Sequence, residues 1–220
     1  MPAAQGKFRW ISYDASPYLP CDWQQTLINF ALAHRVSRTL VPTSVTSREK
    51  TRDTAIPVYT VGGRMIRAGL PWLFDLYRGV FRDLGQPYTD ELLSVATDDR
   101  YAVNLNVQEG RSMRYECHID SNPVEGLLYV TSHPPGTGGE LVVSNRTHVL
   151  GPAEIDDDCV RIYPSAGQLY FFDAREFPHY VAPLCDDRDI RIVMAMNYYT
   201  PSCTESDRPK DLNRHLFGEE

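Results

Sequence analysis

The sequence predicts a mainly β fold, a double-sheet jelly roll with a helical layer built from its N-terminal part. Three observations point there. From Tyr101 onward apolar and polar residues alternate with a period of two, as in strands packed on one face. The candidate strands are many, short and separated by Gly/Pro turns. Before Tyr101 the apolar residues recur mostly at helical spacing instead. At 220 residues the chain fits one domain (1–220), a length that all-β units commonly reach. Residues 1–100 read as a mostly helical layer, 101–200 as the barrel core and 201–220 as a C-terminal tail.

In chain order, Asp22 is placed to N-cap a helix carrying Trp23, Leu27, Ile28, Phe30, Ala31 and His34. Thr43 to Thr54 is polar and charged and reads as a flexible loop. Ile56 to Val61 reads as a short strand ended by Gly62-Gly63, with Arg64 and Arg67 in the loop beyond. A second helix opens at Pro71, a favoured first-turn proline, and puts Leu73, Leu76, Tyr77, Val80 and Leu84 on one face. In the next strand Tyr101, Val103, Leu105 and Val107 alternate with Ala102, Asn104, Asn106 and Gln108. Arg114, Glu116, His118 and Asp120 then share a face opposite Met113, Tyr115, Cys117 and Ile119. Charge on that face would be costly in an apolar core and makes sense if it lines a wet pocket. Further strands are expected near 126–131, 140–144, 168–173 and 190–200.

Composition narrows the function classes. A net charge of −7 and the absence of a Lys/Arg cluster argue against a generic nucleic-acid surface. No apolar run reaches membrane-spanning length and no leader is visible, so neither membrane nor export is expected. Five scattered cysteines without C-x-x-C spacing fit a reduced, cytoplasmic setting.

The chemistry is concentrated in His118-Ile119-Asp120 and a distant His179 within Phe-Pro-His-Tyr-Val. Residues two apart on a strand point the same way, so His118 and Asp120 are able to grip one ion together. Two imidazoles and one carboxylate are the ligand set that holds non-haem Fe(II) on one octahedral face and leaves positions open. Arg191 follows at the head of the strand-like run to Tyr199, with Val193, Ala195 and Asn197 continuing its face.

These residues, together with Gly138-Gly-Glu-Leu141 and Pro164-Ser-Ala-Gly-Gln-Leu-Tyr-Phe-Phe172, resemble the Fe(II)/2-oxoglutarate-dependent oxygenases, closest to the branch that includes prolyl 4-hydroxylases. The resemblance spans about 101–200. It implies a double-stranded β-helix (cupin-like) core, with Fe(II) and 2-oxoglutarate as cofactor and cosubstrate and O2 as oxidant. It further implies that the N-terminal helices buttress one sheet. On this pattern His118, Asp120 and His179 are the iron ligands. Asp120 stands where halogenating relatives carry a small residue, which implies hydroxylation or a related oxidation.

A guanidinium suits the distal carboxylate of 2-oxoglutarate because it pairs in a bidentate fashion. Arg191 is the choice for that role, with Arg188 as its rival. Asn106 and Asn197 are candidate polar contacts to the cosubstrate, although Asn106 departs from the tyrosine common in relatives. Arg114, Glu116 and Arg64 are candidate substrate contacts; a salt-bridged pair or a solvated surface is their plainer reading. His133 and His148 read as structural, and Asp156-Asp-Asp158 as a turn, since it lacks calcium-loop spacing. The expected substrate is a small molecule, an amino acid or a metabolite derived from one. A protein side chain is the alternative, and a non-catalytic metal- or ligand-binding barrel is the third reading.

Overall fold

The computed structural model describes residues 8–40, 45–49, 56–210 and 212. Its main sheet runs β1 (Trp10–Asp14), β10 (Gln168–Phe172), β7 (Val124–Tyr129), β12 (Ile190–Tyr199), β5 (Val103–Glu109), β3 (Ile56–Gly62) and β2 (Val36–Leu40), with the short β4 (Ser94–Val95) on the far end of β12. A smaller sheet has the order β6 (Tyr115–His118), β11 (His179–Val181), β8 (Leu141–Ser144) and β9 (Cys159–Ile162). The pairings within both sheets are antiparallel. This is the expected jelly-roll core.

The register of β12 explains its two faces. Ile192, Met194, Met196 and Tyr198 point away from the smaller sheet into a core shared with the helices. Val193 and Ala195 point the other way, into the apolar layer between the sheets, beside Leu127, Tyr129, Leu141 and Val181. Each fully buried Leu, Met or Phe contributes about 1.5–3 kcal/mol through removal from water, so burial on both faces makes β12 the spine of the molecule.

The helices pack as the apolar spacing requires. Helix α1 (Trp23–His34) begins after Asp22, whose side chain makes no cap bond to the backbone, and buries Leu27 and Ala31. Residues 64–69, expected in a loop, are helical in α2 (Gly63–Gly69). The helix opened by Pro71 runs as α3 (Pro71–Leu76), widens into a π-helical turn over Tyr77–Phe81 and closes as α4 (Arg82–Gly85). Within the π turn, the Tyr77 hydroxyl donates to the Asn197 carbonyl at 2.8 Å and accepts from Ala96 N at 2.8 Å, tying the helix layer to β12. Two short helices complete the set, α5 (Asp99–Ala102) and α6 (Pro152–Asp156).

The first hundred residues are less helical than the spacing suggested, because β1, β2 and β3 extend both edges of the main sheet. β2 escaped notice because an edge strand needs no apolar face; only Leu40 in Val-Ser-Arg-Thr-Leu is buried. The expected loop at Thr43 to Thr54 lies partly outside the described residues. Its described part, 45–49, is pinned to β6: Arg48 N donates to Cys117 O at 2.7 Å and Ile119 N to Thr46 O at 3.0 Å. Among the described residues no helix is long and apolar enough to cross a membrane.

Candidate active site

His118 ends β6 and His179 begins β11, and the two stand directly opposite in the ladder. Their rings lie 4.2 Å apart. The strand stops at His118, so Asp120 sits in the following loop rather than on the same strand face as expected. Its amide donates to Ala174 O at 3.2 Å, which turns the carboxylate back toward the imidazoles. Asp120 Oδ1 lies 3.6 Å from the Nε2 of each histidine. One ligand atom from each of the three residues falls within 4.8 Å of the others.

The ring orientations favour a metal. His118 Nδ1 faces Glu116 O at 2.8 Å and His179 Nδ1 faces Phe177 O at 3.1 Å. A carbonyl only accepts, so each Nδ1 carries the proton and each Nε2 lone pair faces the centre. Burial pushes both imidazoles down to about 4, which keeps them neutral and available as donors at neutral pH. Burial also pushes Asp120 up to about 6. Its Oδ2 is buried without a hydrogen-bond partner, an arrangement that costs free energy unless a cation satisfies it. The donor set and the orphaned oxygen therefore fit Fe(II), which takes imidazole and carboxylate ligands.

Deeper in the cleft, Arg191 is 3% exposed on β12. Its guanidinium lies over the Tyr129 ring at 5.4 Å, Nη1 reaches Gln108 Oε1 at 3.4 Å, and Nε has no partner. A buried guanidinium this weakly engaged fits a planar, bidentate carboxylate. Gly139 makes room for it: its φ is +77°, and a Cβ there would come within 3.1 Å of the Arg191 side chain. The Gly-Gly pair thus serves both the turn into β8 and the arginine. Arg188, by contrast, has an 89% exposed side chain paired with Asp186 at 2.7 Å.

A cavity of about 120 Å³ joins these groups. Its wall includes Asn106 and Asn197, so the polar face of β5 looks into the barrel instead of toward solvent. Asn106 Oδ1 accepts from Asn104 at 2.6 Å, and Asn197 Nδ2 donates to Tyr101 O at 2.5 Å. Glu116 also lines the cavity and accepts from Ser47 at 3.2 Å. Arg114 lies outside the lining and holds Glu49, whose carboxylate also caps Cys117 N at 2.7 Å. Arg64 is exposed on α2, also away from the lining. His133 is buried with Nε2 at 3.0 Å from Ile190 O, and His148 is exposed. Sequence reasoning missed Glu125, Asn122 and Arg208 on the cavity wall. The strand signal for β7 was placed two residues late, which hid Glu125.

Residues 100–199 match the family model of the 2OG-Fe(II) oxygenase superfamily. The segment that carries the site matches the 2OG-Fe(II) oxygenases, enzymes that use iron and 2-oxoglutarate, and it contains the His118, Asp120 and His179 cluster that could hold a metal ion. No protein of curated function matches the sequence. Solved structures share the fold. The 2-oxoglutarate-dependent epimerase SnoN from nogalamycin biosynthesis superposes with a TM-score of 0.60 at 14% identity, covering 91% of this chain and 84% of that one. AviO1 from Streptomyces viridochromogenes gives 0.59 at 17% identity, covering 90% and 92%. A prolyl hydroxylase from Trichoplax adhaerens, solved with a hypoxia-inducible-factor peptide fragment, gives 0.58 at 16% identity, covering 88% and 84%.

Proposed function

We propose that His118, Asp120 and His179 hold Fe(II), that Arg191 binds the distal carboxylate of 2-oxoglutarate, and that the enzyme hydroxylates or otherwise oxidises an unactivated C–H bond of a small molecule, an amino acid or a metabolite derived from one. When bound, iron and 2-oxoglutarate supply an oxidative decarboxylation that yields succinate and CO2 and drives the C–H oxidation. The chain's own residues orient and exclude. The carbonyls of Glu116 and Phe177 fix the histidine tautomers, while Leu127, Leu141, Phe172 and Val181 supply the apolar part of the cavity wall. Asn106 and Asn197 stand on the cosubstrate wall as neutral hydrogen-bonding groups.

The observation that supports the small-substrate reading is the border of the cavity: Thr46 from the pinned loop and Arg208 and Leu212 from the C-terminal segment stand on its wall with the metal triad. A protein side chain delivered on its backbone would need an open groove instead. The test is succinate formation from 2-oxoglutarate by iron-loaded protein in O2, with free amino acids in one panel and short peptides in another. Stimulation by a free amino acid supports the reading; stimulation confined to peptides replaces it with the prolyl-hydroxylase-like alternative.

A further inference from the structure

The polar wall of the cavity carries an amide pair that neither the metal triad nor Arg191 uses. Asn104 and Asn106 both stand on that wall from β5, and Asn104 Nδ2 donates to Asn106 Oδ1 at 2.6 Å. Each carboxamide has one oxygen and two N–H groups to satisfy. Among the described residues that bond is the only one either side chain makes. The Asn104 oxygen and the Asn106 NH2 are therefore left unengaged on the cavity wall.

The ladder leaves room around Asn104. Its partners are Gly62 on β3 and Ala195 on β12, while those of Asn106 are Thr60 and Val193. A Cβ added to Gly62 would meet nothing within 4 Å. None of these four neighbours carries a charge, so an ion placed against Asn104 finds no countercharge among them. Position along the strand orders the pair. Asn106 lies one same-face step, about 7 Å, from the Arg191–Gln108 rung, and Asn104 lies one step further.

We propose that Asn104 is a specificity-determining residue of this enzyme, and that its amide oxygen takes a neutral N–H or O–H donor of the substrate, a carboxamide or a hydroxyl group. The inference rests on the small-molecule oxygenase reading and names the class of group which that reading left open. Asn106 sets the polarity. A carboxylate only accepts, so beside a cosubstrate held at Arg191 Asn106 turns its NH2 to that side and its Oδ1 to Asn104. Asn104 answers with Nδ2, as it does in the structure, and its oxygen is left for the substrate. An analogue whose donor is methylated would leave that oxygen unpaired and press a methyl group against it. Sites built for a hydrogen bond reject such analogues strongly.

The test uses full-length protein with 2-oxoglutarate and with zinc in place of iron, so that calorimetry reads binding without turnover. The probes are asparagine and glutamine in one arm and serine, threonine and homoserine in the other. Each stands beside a counterpart whose side-chain nitrogen or oxygen is fully methylated. At least one probe should bind about tenfold or more tightly than its counterpart, and the better arm names the group. In Asn104→Leu that ratio should collapse toward one while 2-oxoglutarate affinity stays within about twofold; Asn104→Ala serves if the Leu variant loses 2-oxoglutarate binding. Equal binding of every probe and its counterpart, or an unaltered ratio in the variant, overturns the proposal. So does loss of 2-oxoglutarate affinity in both variants, or no probe bound by wild-type protein that does bind 2-oxoglutarate; the oxygenase reading survives each of these. Wild-type protein that binds no 2-oxoglutarate would instead remove the reading on which the proposal rests.

Discussion

Replacing Arg191 by Met separates what this residue does for the cosubstrate from what it does for the fold. The guanidinium is buried, its described hydrogen bond is a long one of 3.4 Å to Gln108, and Nε is unpartnered. Without 2-oxoglutarate it is thus a poorly compensated buried charge, pulled by desolvation below the usual arginine range. Met fills similar space without that penalty, so the cofactor-free variant should match or exceed wild type in stability, within about 1 kcal/mol. With 2-oxoglutarate the balance reverses. Removing one partner of a buried charge-assisted pair costs about 3–5 kcal/mol, which at about 1.4 kcal/mol per tenfold is a loss of roughly a hundredfold to several thousandfold in affinity. The assay is succinate release against 2-oxoglutarate concentration, beside a thermal melt of the cofactor-free protein. An unchanged KM for 2-oxoglutarate would refute the reasoning and move the role to Arg188.

Other consequences can be checked separately. Asp120→Ala should abolish turnover and release iron on dialysis, while raising the melting temperature of the metal-free protein because a buried, unpartnered carboxylate oxygen is gone; metal content and a melt read both effects. Iron affinity should fall as the pH drops through about 6, where Asp120 takes up its proton, and not at the usual histidine pKa, because both imidazoles stay neutral down to about 4. For metal-free protein the two depressed histidines contribute stability that is complete above their unfolded pKa of about 6.5 and lost as pH falls toward about 4. The raised Asp120 opposes this over about 4 to 6, so a melt series on metal-free Asp120→Ala should show a steeper loss on acidification than wild type. Glu49→Ala, which frees the strap held by Arg114 and Cys117 N, should cost about 3 kcal/mol, or roughly 6–12 °C in melting temperature.

What the sequence revealed of this site followed from local periodicity. H-x-D places two ligands close together whichever way the strand ends, and Arg191 heads the longest strand among the described residues, so these positions were readable. The geometry that pairs His179 with His118 was not, because β11 is three residues long and too short to leave a pattern. Likewise the alternation of β5 identified a polar face but not its surroundings. Asn104 and Asn106 look into the cavity only because the smaller sheet closes over them, a non-local fact. The loop read as flexible from its charge is held at Glu49 by Arg114, a partner 65 residues away. Glu125 and Arg208 meet the site from two further segments, and nothing in either segment alone marks them as cavity residues.

The central claim is that the His118–Asp120–His179 site works as an iron- and 2-oxoglutarate-dependent oxygenase centre. Succinate release should be measured on protein loaded with iron anaerobically and then mixed with 2-oxoglutarate and O2, wild type beside Asp120→Ala. The account predicts release from wild type that requires iron and O2, continues slowly without added substrate, and disappears in the variant. Wild-type protein that retains iron yet releases no succinate, or a variant that releases as much as wild type, would contradict it.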